Sequence, residues 1–178
     1  MKLLITAFDG SAGERLTDYI QQTMERPHVP LQIKFSNDFN IETDFIISVI
    51  RHPRDVVGFV SSKNPNIDLN DIIKQYEIYL KYVNEKSNMI VLYYDVINNI
   101  DQIIKNLFNT LNLDEQNYKN KTGRESLKDD VFNSIGSVDS KLHEKVIIFN
   151  SLDSRNEKLE NANIEYDIAF NKAVKFDN

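Results

Sequence analysis

The sequence predicts an α/β domain in three layers: a parallel sheet of about four strands with helices on both faces. Three observations carry that expectation. Short apolar runs alternate with stretches of helical period through residues 2–113. The run "FIISVI" (45–50) is apolar at five of six positions, the pattern of a strand covered on both faces. A Gly/Ser turn, "DGSAG" (9–13), stands where the first apolar run gives way to the first helical pattern.

Each element has its own signal. "KLLITAF" (2–8) is a buried strand, and "ERLTDYIQQTM" places Leu16, Tyr19, Ile20 and Met24 at helical spacing. Two prolines in "MERPHVP" end that helix. "LQIKF" is the second strand, a polar loop crosses residues 37–44, and "FIISVI" is the third strand. After a turn at Pro53, "RDVVGFVSS" begins another helix. "DIIKQYEIYLKYVNEK" puts Ile72, Ile73, Tyr76, Tyr79, Leu80 and Val83 on one stripe, the strongest helix in the chain. "MIVLYY" is expected as a fourth strand and "NIDQIIKNLFNTLNL" as an amphipathic helix. Residues 114–137 read as a long polar loop, "SKLHEKVIIFNSLDSRNEKL" resumes a helical pattern, and the last ~18 residues read as a tail. A single domain over 1–178 is expected, with its core in 2–113 and a loop-rich, helical part in 114–178.

Composition narrows the function classes. The chain has 178 residues, 41% of them hydrophobic, which suffices for one core. A net charge of -6 argues against binding duplex nucleic acid, which needs a basic face. There is no Cys, so disulfides, thiolate metal sites and Cys nucleophiles are excluded. No apolar run approaches the ~20 residues of a spanning helix, so no membrane partner is expected. A cytoplasmic location is expected, or a virion if the protein is viral.

In such a domain, ligands sit at the carboxyl ends of the strands. Three groups fall there. Gly10, Ser11, Ala12 and Gly13 form a turn whose backbone N–H groups and helix start suit a phosphate. Arg51 ends the third strand, and Tyr93–Asp95 ends the fourth. The phosphate loop is degenerate, because Glu14 and Arg15 stand where a full P-loop has Lys and Ser or Thr. The same residues also read as a plain strand-to-helix turn capped by Asp9 or Ser11, with Arg51 solvated or paired to Asp55. His52 reads as a loop residue or as an acid/base, and Tyr79, Tyr82 and Tyr93 read as core with wet hydroxyls.

The order of these pieces resembles the sulfotransferases that use the nucleotide donor PAPS (3′-phosphoadenosine 5′-phosphosulfate). "FIISVIRHPRDVVGFVSS" is similar to their strand followed by R-x-P-R/K-D, and "LLITAFDGSAGERL" occupies the place of their donor loop. "YEIYLKYVNEKSNMIVLYYDVINNIDQIIKNLFNTLNL" is similar to their Tyr-rich helix, strand and following helix. The likeness covers roughly residues 2–113. It implies a P-loop-type fold that transfers a sulfuryl group from PAPS to a hydroxyl or amine acceptor, without a metal. It implies a donor-binding set of Gly10, Ser11, Ala12, Gly13, Arg15, Arg51, Ser61 and, faintly, Arg124 in "KTGRESLK". The loop's basic residue falls on Gly10, and the family's Ser falls on Phe59, with Ser61 and Ser62 out of register. The family's base His has no counterpart, which leaves Arg15 as a substitute cation and Asp38 or His52 as base. Two alternatives remain beside the transferase. One is a catalytically inactive member of the fold, a binding or assembly component with a protein partner, as in a viral particle. The other is a nucleotide kinase, since "FDGSAGER" also resembles the D-G-S-G-K opening of nucleoside monophosphate kinases.

Overall fold

The computed structural model describes residues 1–24, 32–36, 38, 40–64, 66–113 and 157–176. Four parallel strands, β1 (Lys2–Ala7), β2 (Gln32–Phe35), β3 (Phe45–Ile50) and β4 (Met89–Leu92), form one sheet in the order β2-β1-β3-β4. Leu3 pairs with Ile33 on one side and Phe45 on the other, and Val49 pairs with Val91. Among the described residues the helices are α1 (Gly13–Met24), α2 (Pro53–Lys63), α3 (Leu69–Lys86), α4 (Tyr93–Asn98), α5 (Ile100–Thr110) and α6 (Glu160–Lys172), the last entered through a 3₁₀ turn (Glu157–Leu159). The chain is therefore an α/β domain with an all-parallel sheet, as the sequence predicts.

The two faces follow from the two-residue period of a strand. Leu3, Ile5, Ala7, Ile47, Val49, Met89 and Val91 turn to one face and pack with α1, α4 and α5. Ile50 and Ile90 turn to the other, beneath α2, α3 and α6. Both faces are covered, which explains why β3 lacks a polar alternation. Thr6 and Ser48 are the polar breaks, both fully buried. Ser48 meets the Ser87 hydroxyl at 2.5 Å. The Tyr79 hydroxyl reaches the carbonyls of Thr6 (3.1 Å) and Val49 (2.9 Å), tying α3 to β1 and β3 together. Burial pushes the Tyr79 phenol well above its ordinary pKa, so it remains a donor throughout the physiological range.

Two expectations need correction. "MIVLYY" is strand only to Leu92; Tyr93, Tyr94 and Asp95 open α4. The last residues are no tail. Helix α6 packs on α3 through Ala162 and Ala169, both fully buried, and the chain beyond it sends the Val174 N–H to the Ile90 carbonyl at 2.9 Å on the edge of β4. The sequence hid this helix because its buried stripe is made of alanines. Small side chains let two helices approach closely but add little to an apolar pattern. Residues 114–156, with the loop and the helical pattern expected there, lie outside the described residues.

The alanine seam is testable. Ala169→Leu should destabilise the protein by about 1–3 kcal/mol in urea unfolding, because a fully buried site beside α3 has no room for three more carbons. An unchanged midpoint would mean that α6 does not pack on the domain.

Candidate anion-binding site

The carboxyl ends of β1 and β2 border a cleft of about 500 Å³. Its lining includes Phe8 to Arg15 from β1, the turn and α1, together with Phe35, Phe59, Lys63 and Tyr93. The turn bends through two left-handed residues, Gly10 (φ 79°) and Ala12 (φ 61°). Glycine is required at position 10 on two counts. An L side chain is strained at that φ, and a Cβ there would lie 2.2 Å from Phe59 Cδ1. A Cβ on Gly13 would meet Ala7 at 2.3 Å and Phe35 at 2.6 Å. Phe59 and Phe35 thus clamp the turn from either side.

The turn delivers α1 without a side-chain cap. The Ala12 carbonyl accepts from Leu16 N–H at 3.0 Å, which puts an alanine in the cap position. The first-turn N–H groups of Gly13, Glu14 and Arg15 have no helical carbonyl ahead of them. Neither Asp9 nor Ser11 caps them among the described residues, against the alternative of a plain capped turn. Asp9 lies 3.9 Å from Lys63 Nζ. Ser11 is 1% exposed, belongs to the cleft lining, and its Oγ has no hydrogen-bond partner among the described residues. Burying an unsatisfied hydroxyl costs roughly 1–3 kcal/mol, so such a group invites an incoming acceptor or donor.

Arg51 stands at the same sheet edge as the turn, as expected, but it points into protein. It is 3% exposed. Its Nη1 donates to the Gly10 carbonyl at 2.9 Å, and its guanidinium carbon lies 4.0 Å from the centroid of the Tyr93 ring and 5.8 Å from that of Phe59. Its backbone is fixed as firmly. The Arg51 N–H donates to the Tyr76 hydroxyl at 3.1 Å, and that hydroxyl donates to the Arg51 carbonyl. Arg51 is not part of the cleft lining.

The other expected residues divide plainly. Gly10, Ser11, Ala12, Gly13 and Arg15 line the cleft together. Ser61 does not: it sits two residues from Phe59 on α2, about 200° around the helix, and its hydroxyl donates to the Gly58 carbonyl at 3.0 Å. Asp38 is exposed beyond β2 and outside the lining, its carboxylate accepting from the Asn40 N–H at 3.0 Å. His52 caps α2, where Nδ1 accepts from the Arg54 N–H at 3.3 Å, and its ring lies edge-on to Tyr166 at 5.2 Å. Arg124 lies outside the described residues. Phe59 and Lys63 were missed as lining residues, although their i, i+4 spacing would have placed them on one helix face. Among the described residues no cluster of His, Asp and Glu could hold a metal ion, and no helix is long and apolar enough to cross a membrane.

No protein-family model matches this sequence, and no curated protein matches it at a significant level.

Two outcomes follow from the geometry. Gly10→Ala should destabilise the protein by about 1–3 kcal/mol, through backbone strain and the Phe59 contact, measured by chemical denaturation. Adding Phe59→Ala should recover only the steric share. The second outcome concerns pH. Burial lowers the His52 pKa from 6.5, opposed by the nearby Asp55. The folded state therefore binds fewer protons than the unfolded one. Stability from this group is present above pH 6.5 and lost as pH falls from there through the folded value. His52→Asn keeps a cap acceptor and should flatten that acid-side fall in unfolding free energy; an identical pH profile would show that the ring contributes nothing to it.

Proposed function

We propose that the protein is a nucleotide-binding domain of the sulfotransferase-like kind, which seats the 5′-phosphate end of its ligand in the β1–α1 turn. The buried Ser11 hydroxyl carries this reading: it has no partner among the described residues, and it lies beside helix N–H groups that also lack helical partners. The several oxygens of a phosphate or sulfate group are acceptors suited to such donors. Phe35, Phe59 and Tyr93 give the cleft apolar walls for a base or similar ring.

Binding is better supported than transfer. The basic loop residue that the resemblance calls for falls on Gly10, where Phe59 leaves no space for a side chain. Asp38 and His52, the residues suggested as base, lie outside the cleft lining. One observation favours sulfuryl transfer from PAPS as a second reading: Arg15, half-buried in the first turn of α1, lines the same cleft and could bring a cation to a leaving phosphate.

Thermal-shift titration separates these readings. A nucleotide 5′-phosphate at a hundred times its Kd should stabilise the protein by ~2.7 kcal/mol, a rise of about 2–4 °C per kcal/mol for a chain of this size. The ligands are 3′-phosphoadenosine 5′-phosphate, adenosine 5′-phosphate and ATP–Mg, with Ser11→Ala as the control that should lose most of the shift. Release of sulfate from PAPS to added acceptors would raise the transferase reading above the binding one. No shift with any nucleotide at millimolar concentration would reject both.

A further inference from the structure

We infer that Arg51 acts on the phosphate turn and not on the ligand, so that the cleft takes a nucleotide with a single phosphate-bearing end and draws nothing from a 3′-phosphate. This rests on the reading of the cleft as a nucleotide site. Three observations carry it. Arg51 is 3% exposed and outside the cleft lining. Its Nη1 donates to the Gly10 carbonyl at 2.9 Å, across 41 residues of sequence. Its guanidinium lies 4.0 Å from the centroid of the Tyr93 ring, one of the cleft walls, while Phe59 sits against Gly10.

The consequence for the turn is directional. A peptide carbonyl near a bound phosphate repels it, whereas a peptide N–H attracts it. By holding the Gly10 carbonyl, the guanidinium keeps that oxygen engaged away from the ligand, and the left-handed Gly10 and Ala12 carry the chain on to the start of α1. Arg51 is thus a positioning residue. At 3% exposure, with the Tyr93 and Phe59 rings against it, its side chain offers a second phosphate no open approach. Among the described residues, the cationic side chains that line the cleft are Arg15 and Lys63, and Lys63 stands opposite Asp9.

The test compares 3′-phosphoadenosine 5′-phosphate with adenosine 5′-phosphate by calorimetry on the intact protein. Affinities within about threefold of each other are expected; a larger preference for the bisphosphate overturns the inference. This ratio needs no variant, so it stands even if a variant fails to fold. Arg51→Met should weaken both nucleotides by the same factor, about tenfold, the loss of one charge-assisted hydrogen bond. It should also speed amide hydrogen exchange at Ser11, Ala12 and Gly13 without ligand, and leave the β4 amides unchanged. Loss of bisphosphate affinity alone, with exchange at the turn unaltered, would make Arg51 a ligand group and overturn the inference. If the parent binds neither nucleotide, the nucleotide reading and the ligand half of the inference fail together, and exchange in Arg51→Met still decides whether Arg51 holds the turn.

Discussion

A guanidinium removed from water is costly unless its donors and its charge are met. The edge of this domain is arranged around one such group. Arg51 ends β3, its Nη1 donates to the Gly10 carbonyl beyond β1, and its charge rests on the Tyr93 ring beyond β4. One side chain therefore couples the ends of three of the four strands. Tyr76 exchanges hydrogen bonds with the Arg51 backbone from α3, and Phe8 lies edge-on to Tyr76 at 5.0 Å. Moving the guanidinium would disturb the turn and the Tyr93 wall of the cleft, while Tyr76 holds the backbone from which it projects.

Much of this frame was legible in the sequence. Apolar runs separated by helical stripes specify a parallel sheet covered on both faces, and such a sheet sends the ends of all its strands to one edge. That constraint puts Gly10–Gly13, Arg51 and Tyr93 in one neighbourhood with no knowledge of side-chain direction. Direction is what a pattern cannot give. Arg51 at a strand end reads the same whether it faces a ligand or the next turn. Only the positions of Tyr93 and Phe59, set by helices α4 and α2, decide between them. Ser61 shows the same limit: two residues from Phe59, it shares the motif but lies on another side of α2.

Helix α6 escaped for a different reason. Its contact with α3 depends on the absence of bulk at Ala162 and Ala169, while Ile164 and Ile168 on its outer side remain 52% and 41% exposed. Counting apolar residues would assign the wrong face to the core. Packing density rewards close approach as well as apolar area, and an alanine seam gains its stability from approach. Polar contacts then fix the pairing. Asn84 on α3 donates to the Glu165 carboxylate at 2.9 Å and to its carbonyl at 3.0 Å, and Lys172 returns to the Asn84 carbonyl at 3.0 Å.

The cleft itself combines weak side-chain charge with strong backbone geometry. Asp9 and Glu14 offset Arg15 and Lys63, so the formal charges of its lining cancel among the described residues. Long-range attraction of an anion from such a lining is small, and salt would screen what remains. On the reading proposed above, selectivity for phosphate arises at contact, from the N–H groups at the start of α1 and the Ser11 hydroxyl. Those donors act only if the turn holds its shape, and that shape depends on a glycine at position 10, an aromatic ring on either side and the guanidinium bond behind it. In a P-loop, lysine contributes charge to the ligand directly. Here a buried arginine binds the carbonyl of the turn itself, where it contributes geometry.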